Sequence, residues 1–387
     1  MRAVLMREFG PPDVLEPAEV DEVLAGPDEV VIDVEFANVT FVETQVRAGR
    51  PPHPSMLPAL PAILGNGVGG TVAGDGAGIG LGAGTGAEPG TGAEPGTGSG
   101  AGRRVVASLN GTGGYAERVA APASRLIEVP DGVALRDAVA LLADGRTALA
   151  LAGRAGLRAG DTVLIEAAAG GVGTLLVQIA RNAGARVVAL AGQPRKLAIA
   201  RDLGADLTVD YRRDGWDEQV RDAAGQVDVV FDGVGGDIGL AAFGLLGPGG
   251  RFCPFGMASG RFAPVTPELA RAHQVTVLAG AAASPEELTA LVRTALAEAA
   301  AGRLRPVIGQ EFELAAAAGA HAAIEARATV GKTLLTVPRE RQGRPRFRSG
   351  WRGRSGRASG LRTAVINSLP VAMYFVAQAR LQPSGGI

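Results

Sequence analysis

Cysteine and histidine are nearly absent from this chain: Cys253 stands alone, and the only histidines are His53, His273 and His321. One cysteine excludes an internal disulfide framework and any cysteine-rich zinc site. The three histidines are scattered without metal-ligand spacing and read as packing or surface residues. Cys253 lies in an apolar run and reads as core. Charged residues make up only 20% of the chain, and no stretch has the roughly 20 uninterrupted apolar residues that a membrane helix needs. The Thr363–Ala379 run is broken by Asn367, Ser368 and Pro370, so it is not read as an anchor. The first ten residues, M-R-A-V-L-M-R-E-F-G, hold too short an apolar run for a secretion signal and read as a strand. The expected compartment is the cytoplasm.

What is present is a soluble, core-forming composition, 47% apolar over 387 residues, enough for two domains at roughly 150 residues each. The net charge of −1 conceals an asymmetry. Residues 341–387 carry nine Arg and no Lys, Asp or Glu, so an acidic body precedes a basic end.

The chain is organised around Thr162 to Gly173, T-V-L-I-E-A-A-A-G-G-V-G. Thr162–Ile165 is a β-branched apolar run, which predicts a buried strand. From Val172 the apolar residues Leu175, Leu176, Ile179, Ala180 and Ala183 fall at helical spacing, and Gly184 stops the helix. Strand, small-residue turn and helix make the front of a dinucleotide-binding βαβ unit. Ala169, Gly170, Gly171, Val172 and Gly173 would let the backbone approach a pyrophosphate at the helix N-terminus. A tight βα turn without a ligand gives the same pattern.

The next strand, Arg186–Leu190, also lacks something. An NAD site carries an acid roughly 20 residues past the glycines, to bind the ribose hydroxyls. Here Gly192, Gln193 and Pro194 lead into Arg195 and Lys196. Two cations at that point suit a 2′-phosphate, so NADPH is the expected cofactor; a solvated helix start is the plainer reading.

The rest follows in order. Residues 1–73 show β-like runs at Ala3–Met6, Glu29–Phe36 and Val68–Val72, with an irregular segment around Pro51, Pro52, Pro54, Pro58 and Pro61. Residues 74–102 are low-complexity, with 13 Gly and a repeated G-T-G-A-E-P, and read as a flexible loop. Arg103–Ala107 and Tyr115–Ala120 return to strand character, and Asp137–Gly153 reads as a helix. Val227–Phe231 and Gly250–Phe255 look like parallel strands buried on both faces, and His273–Ala279 is a sixth candidate. Pro285–Ala301 predicts a helix. Beyond Pro338, R-Q-G-R-P-R-F-R-S-G-W-R-G-R-S-G-R has a disordered basic composition. It is similar to an RGG-like nucleic-acid segment but offers only Phe347 and Trp351 for stacking. An inert tail, dispensable for folding and cofactor binding, is the expectation.

A-A-A-G-G-V-G with V-Q-I-A and G-A-R-V-V resembles the zinc-free quinone oxidoreductase (zeta-crystallin-like) branch of the medium-chain dehydrogenase/reductases. F-G-P-P-D-V-L, G-G-Y-A-E, F-D-G-V-G-G, P-G-G-R-F, F-G-M-A-S-G and R-A-T-V-G-K add to the match, over about residues 1–338. The resemblance implies an α/β fold in which a GroES-like β domain is split around a Rossmann doubly wound parallel sheet. Expected boundaries are 1–134, 135–280 and 281–340, followed by the basic 341–387. It implies NADPH as hydride donor, an active site in the cleft between domains, and a homodimer. Lys196, Tyr211 and Arg327 match family positions that hold the adenosine phosphate, sensible chemistry for two cations and a phenol. Packing for Tyr211 and solvation for Arg327 remain open.

Zinc-dependent relatives use a Cys before the first cleft helix and a His in G-H-E. Thr40-Phe41-Val42-Glu43 and Gly65-Asn66-Gly67 occupy those places and supply no zinc-ligand set. The branch commonly carries Asn and Tyr where Thr40 and Gln45 stand, so a phenol that could serve the substrate is missing. Thr40, Gln45, Asn66 and Thr147 are the remaining polar candidates, with a structural hydroxyl the equal alternative for both threonines. The expected activity is metal-free, NADPH-dependent hydride transfer to quinones or other conjugated carbonyls. A 2-enoyl thioester reductase and a non-catalytic NADPH- or RNA-binding protein of the same fold are the alternatives.

Overall fold

The computed structural model describes residues 1–73, 101–278 and 283–338. The expected flexible insert and basic tail therefore lie outside the described residues, apart from residues 101 and 102. Two compact units emerge. The first comprises Met1–Leu142, Glu311–Ala328 and the strand from Thr333; the second comprises Ala143–Gln310 and Thr329–Lys332.

In the first unit β1 (Arg2–Met6) pairs antiparallel with β2 (Leu15–Glu19). The long β3 (Glu29–Val39) alternates buried and half-buried residues over its first six positions, as a strand with one covered face must. The short helix α1 (Phe41–Arg47) follows, inside a region whose sequence reads as β. Then come β4 (Ala62–Ile63), β5 (Gly67–Val72), β6 (Arg104–Ser108), β7 (Arg118–Pro122) and β8 (Ile127–Glu128). β3 pairs antiparallel with both β5 and β7. Gly70 is required where these strands meet, because a Cβ there would lie 2.0 Å from the Asp33 carbonyl oxygen. Tyr115, expected at a strand start, instead precedes β7 and is fully buried.

Helix α2 (Leu135–Ala155) carries the chain into the second unit, which alternates strands and helices: β9 (Thr162–Ile165), α3 (Gly171–Asn182), β10 (Arg186–Ala191), α4 (Pro194–Asp202), β11 (Leu207–Asp210), α5 (Trp216–Ala224), β12 (Val227–Asp232), α6 (Gly236–Phe243), β13 (Leu246–Pro254), α7 (Pro267–Ala272) and β14 (Thr276–Val277). Their order across the sheet is β11-β10-β9-β12-β13-β14, every pair parallel. This is a doubly wound sheet with its order reversing beside β9, where such folds place a ligand. Both faces are covered: Val163, Leu164 and Ile165 of β9 are wholly buried.

Helix α8 (Pro285–Ala300), β15 (Ile308–Glu313), α9 (Ala317–Glu325) and β16 (Lys332–Thr336) complete the described chain. The units divide after Leu142 and Gln310 rather than at the expected 134 and 280. The chain after α8 is tied to α3, which explains the shift. Asn182 donates to the Arg303 carbonyl and Gln178 to the Arg305 carbonyl, both at 2.9 Å, and the Arg305 amide donates back to Gln178 at 2.9 Å.

Candidate functional site

The turn from β9 to α3 is built on a non-glycine residue in the left-handed region, Ala167 at φ 48°. Its carbonyl accepts from the Gly170 amide at 2.8 Å, closing the turn tightly. Gly173, in the first turn of α3, passes directly over it. A Cβ on Gly173 would stand 2.3 Å from the Ala167 oxygen, so any side chain would push the helix off the strand. Gly170 is the N-cap and no side chain among the described residues caps α3 there, which leaves its first amides for an anion. The predicted Ala169, Gly170, Gly171, Val172 and Gly173 thus form one small-residue platform at the helix start.

Two residues on this platform escape the motif pattern. The Asp144 carboxylate sits 2.0 Å from where a Gly171 Cβ would be. Its charge is matched by the buried Lys332, Nζ to Oδ1 at 3.1 Å. Gly331, beside Lys332, donates its amide to the Ala169 carbonyl at 2.7 Å. The closing G-K of R-A-T-V-G-K therefore rests on the glycine turn, and Lys332 was visible in the sequence only as a motif letter.

At the end of β10, Gly192 and the N-cap Gln193 lead into α4, with Pro194 at its start and no acid in its first turn. Arg195 is exposed and Lys196 half-buried. Two cations in the first turn of a helix oppose its dipole, an arrangement that a bound anion would offset. The Tyr211 hydroxyl, just beyond β11, reaches 3.2 Å from a Gly192 Cβ position, and the Arg212 side chain 3.1 Å. The ring of Tyr211 also packs on the sheet core. Arg327, at φ 54°, follows α9 in the first unit.

The four polar candidates fare differently. Thr40 caps α1: its hydroxyl accepts from the Glu43 amide at 3.3 Å and donates to Glu43 Oε2 at 3.1 Å. The Thr147 hydroxyl donates to the Ala143 carbonyl at 2.8 Å along its own helix. The Gln45 amide donates to Thr44 Oγ1 at 3.2 Å. Asn66 is pinned on three sides. Its amide donates to Glu43 Oε1 at 2.7 Å, its carbonyl accepts from Leu109 at 2.7 Å, and its Oδ1 accepts from Gly111 at 2.8 Å. Fixing Oδ1 this way leaves the Asn66 Nδ2 end, with two N–H groups, to serve a ligand oxygen.

Sequence reasoning missed the hub of this network. Glu43 is 4% exposed and accepts from Thr40 N, Thr40 Oγ1, Asn66 N and, at 3.3 Å, the Tyr115 hydroxyl. Tyr115 in turn lies 3.0 Å from His321 Nε2. Burial, then Glu43, raises the Tyr115 phenol well above its usual value. Burial and the neighbouring Arg47 push His321 down to about 3, so the imidazole is neutral. The Tyr115 hydroxyl donates to Glu43, so the consistent assignment has His321 Nε2–H donating to Tyr115. Among the described residues no cluster of three or more His, Cys, Asp or Glu could hold a metal. Cys253 is buried, and burial lifts its thiol to about 12, so it is inert.

Comparison with known proteins places these features in a family. Residues 26–131 match the alcohol dehydrogenase GroES-like domain and residues 171–297 the zinc-binding dehydrogenase model. A quinone oxidoreductase of Pseudomonas aeruginosa is 31% identical, covering 84% of this chain and 97% of its own length. A 2-haloacrylate reductase of Burkholderia is 30% identical over 86% of this chain and 98% of its own. Among solved structures, a mycobacterial protein complexed with NADPH superposes with a TM-score of 0.74 at 32% identity, covering 87% of this chain and all of that one. The Escherichia coli quinone oxidoreductase complexed with NADPH gives 0.75 at 25% identity, again over 87% of this chain and all of its own.

Proposed function

The chain belongs to the quinone oxidoreductase-type family of medium-chain dehydrogenase/reductases, and from that premise we propose that it is a metal-independent, NADPH-dependent reductase of conjugated carbonyls. The observation that carries the reading is the pairing of an uncapped glycine platform on α3 with a basic, acid-free start to α4. Solved relatives with NADPH bound support the same cofactor. The residues fit it: Ala169–Gly173 offer main-chain amides to a pyrophosphate, while Lys196 and Tyr211 offer a cation and a phenol to the 2′-phosphate.

Bound NADPH supplies a hydride. The chain itself must hold the acceptor and stabilise the negative charge that develops on its oxygen. A quinone or enone spreads that charge over a conjugated system and needs less help than a saturated ketone. Asn66 is the donor the geometry favours, because Thr40 and Thr147 already spend their hydroxyl protons within the fold. Asn66→Ala is expected to lower kcat by about 10²-fold with little change in NADPH affinity, the loss typical of one preorganised donor. An unchanged kcat would remove Asn66 from the reaction.

The decisive measurement is NADPH consumption with a 1,4-quinone or enone beside a saturated ketone of similar size. Faster turnover of the saturated ketone would reject the conjugated-acceptor reading. A preference for enoyl thioesters would shift the substrate class, and tight NADPH binding without turnover of any acceptor would mark a non-catalytic member. Lys196→Ala is expected to weaken NADPH by about tenfold to a hundredfold, the value of a charged phosphate contact, and to leave NADH nearly unchanged. Equal losses for both cofactors would show that Lys196 does not read the phosphate.

A further inference from the structure

Arg212 was not singled out by the sequence pattern, yet it borders the same turn as Gly192. Its Cδ and Nε lie 3.1 and 3.4 Å from a Gly192 Cβ position, beside the Tyr211 hydroxyl. The guanidinium is anchored rather than loose. Nε donates to Asp210 Oδ1 at 3.0 Å and Nη2 to Asp210 Oδ2 at 2.7 Å, a two-pronged pair, and the Arg212 amide also donates to Oδ1 at 3.0 Å. The Asp210 side chain is only 9% exposed while that of Arg212 is 53% exposed. Arg212 therefore covers a carboxylate at the end of β11, next to Ala191 of β10 in the sheet register. Two of its five N–H groups serve Asp210; the rest remain for a ligand.

The position of this carboxylate matters. In a doubly wound fold the adenosine ribose lies off the end of the second strand, and an acid there selects the unphosphorylated cofactor. The sequence lacks that acid after β10, but Asp210 supplies one from the neighbouring strand. Uncovered, it would repel a 2′-phosphate and could accept from a 2′-hydroxyl. Resting on the reading that this turn receives NADPH, we propose that Arg212 is a specificity-determining residue. It binds the 2′-phosphate with its outer N–H groups and shields that phosphate from Asp210. Two effects of the same sign then meet in one side chain, and Arg212 sets cofactor choice beyond what Lys196 provides.

The test is calorimetric binding of NADPH, NADH and 2′,5′-ADP to the full chain and to Arg212→Ala, Arg212→Lys, Lys196→Ala and the double variant Arg212→Ala/Asp210→Asn. Arg212→Ala is expected to weaken NADPH and 2′,5′-ADP by about tenfold to a hundredfold while leaving NADH equal or tighter. Arg212→Lys, which keeps the charge but not the fork, should fall between. The double variant should regain part of the lost NADPH affinity, because the repelling carboxylate is gone. Equal losses for both dinucleotides in Arg212→Ala, or a double variant no tighter than the single one, would overturn the inference. If Lys196→Ala shifts the NADPH/NADH ratio and Arg212→Ala does not, only the role of Arg212 fails. If neither shifts it, the NADPH reading of this turn fails with it.

Discussion

Replacing Glu43 with alanine is expected to destabilise the first unit by about 3–5 kcal/mol, the upper range for a buried hydrogen-bond network that loses its acceptor. Four donors converge on this carboxylate: Thr40 N and Asn66 N at 2.7 Å, Thr40 Oγ1 at 3.1 Å and Tyr115 Oη at 3.3 Å. Alanine fills none of that volume, and Asn66 N and the phenol are too deep for water to replace the lost acceptor. Glu43→Gln should lose less. Its carbonyl oxygen still accepts, and the Tyr115 hydroxyl can turn to His321 Nε2 if the imidazole moves its proton to Nδ1. Tyr115→Phe removes one donor and should be milder than either. Thermal melts of the three variants check the ranking alanine, glutamine, phenylalanine. At roughly 2–4 °C per kcal/mol for a unit of this size, Glu43→Ala should melt about 10 °C lower. A Glu43→Ala protein within about 1 kcal/mol of the parent would show that the network is not what holds α1 to the strand behind it.

The parts of this protein that sequence shows well are those written in one dimension. The run T-V-L-I, the A-A-A-G-G-V-G turn and the helix after it need only local periodicity, and the structure begins and ends them within a residue of the expected bounds. The place of Arg195 and Lys196 in the first turn of α4 is likewise legible, because Pro194 marks the helix start. Glu43, Tyr115 and His321 were not, because they are scattered along the chain and only folding brings them together. Each alone looks like an ordinary helix, loop or helix residue. Thr40 shows a related failure. A hydroxyl before a helix is read equally as donor or cap, and only the Glu43 side chain three residues on decides for the capping box. That S/T-x-x-E signal was present in T-F-V-E and could have been used. Asp210 and Arg212 are hidden for a different reason: spacing from the glycines points to the end of β10, whereas it is β11 that brings Asp210 level with Ala191.

Above about pH 6.5, stability should fall as pH rises, and Glu166→Gln should abolish most of that fall. Glu166 directly follows β9 and Asp232 ends β12, adjacent strands of the parallel sheet, and both carboxyls are fully buried. Val234 donates to both, at 3.0 and 3.1 Å, and Gly235 to Asp232 Oδ1 at 2.6 Å. Three such bonds cannot offset two neighbouring buried charges, so the pair keeps a proton. Burial, then Asp232, raises the Glu166 carboxyl well above its ordinary value of 4.5. Burial raises Asp232 as well. The native state therefore binds more protons than the unfolded chain from about pH 4.5 upward, and by linkage stability declines with pH until the native carboxyl titrates. His321 acts oppositely. Held at about 3 against an ordinary 6.5, it makes stability rise with pH between those values. Glutamine at position 166 has no proton to lose and can donate its amide to Asp232. Its melting temperature should track the parent below pH 5 and exceed it increasingly toward pH 9. Melting curves of both proteins across that range decide the matter. A constant difference at every pH would mean that Glu166 is ionised in the fold and that the proton is held elsewhere.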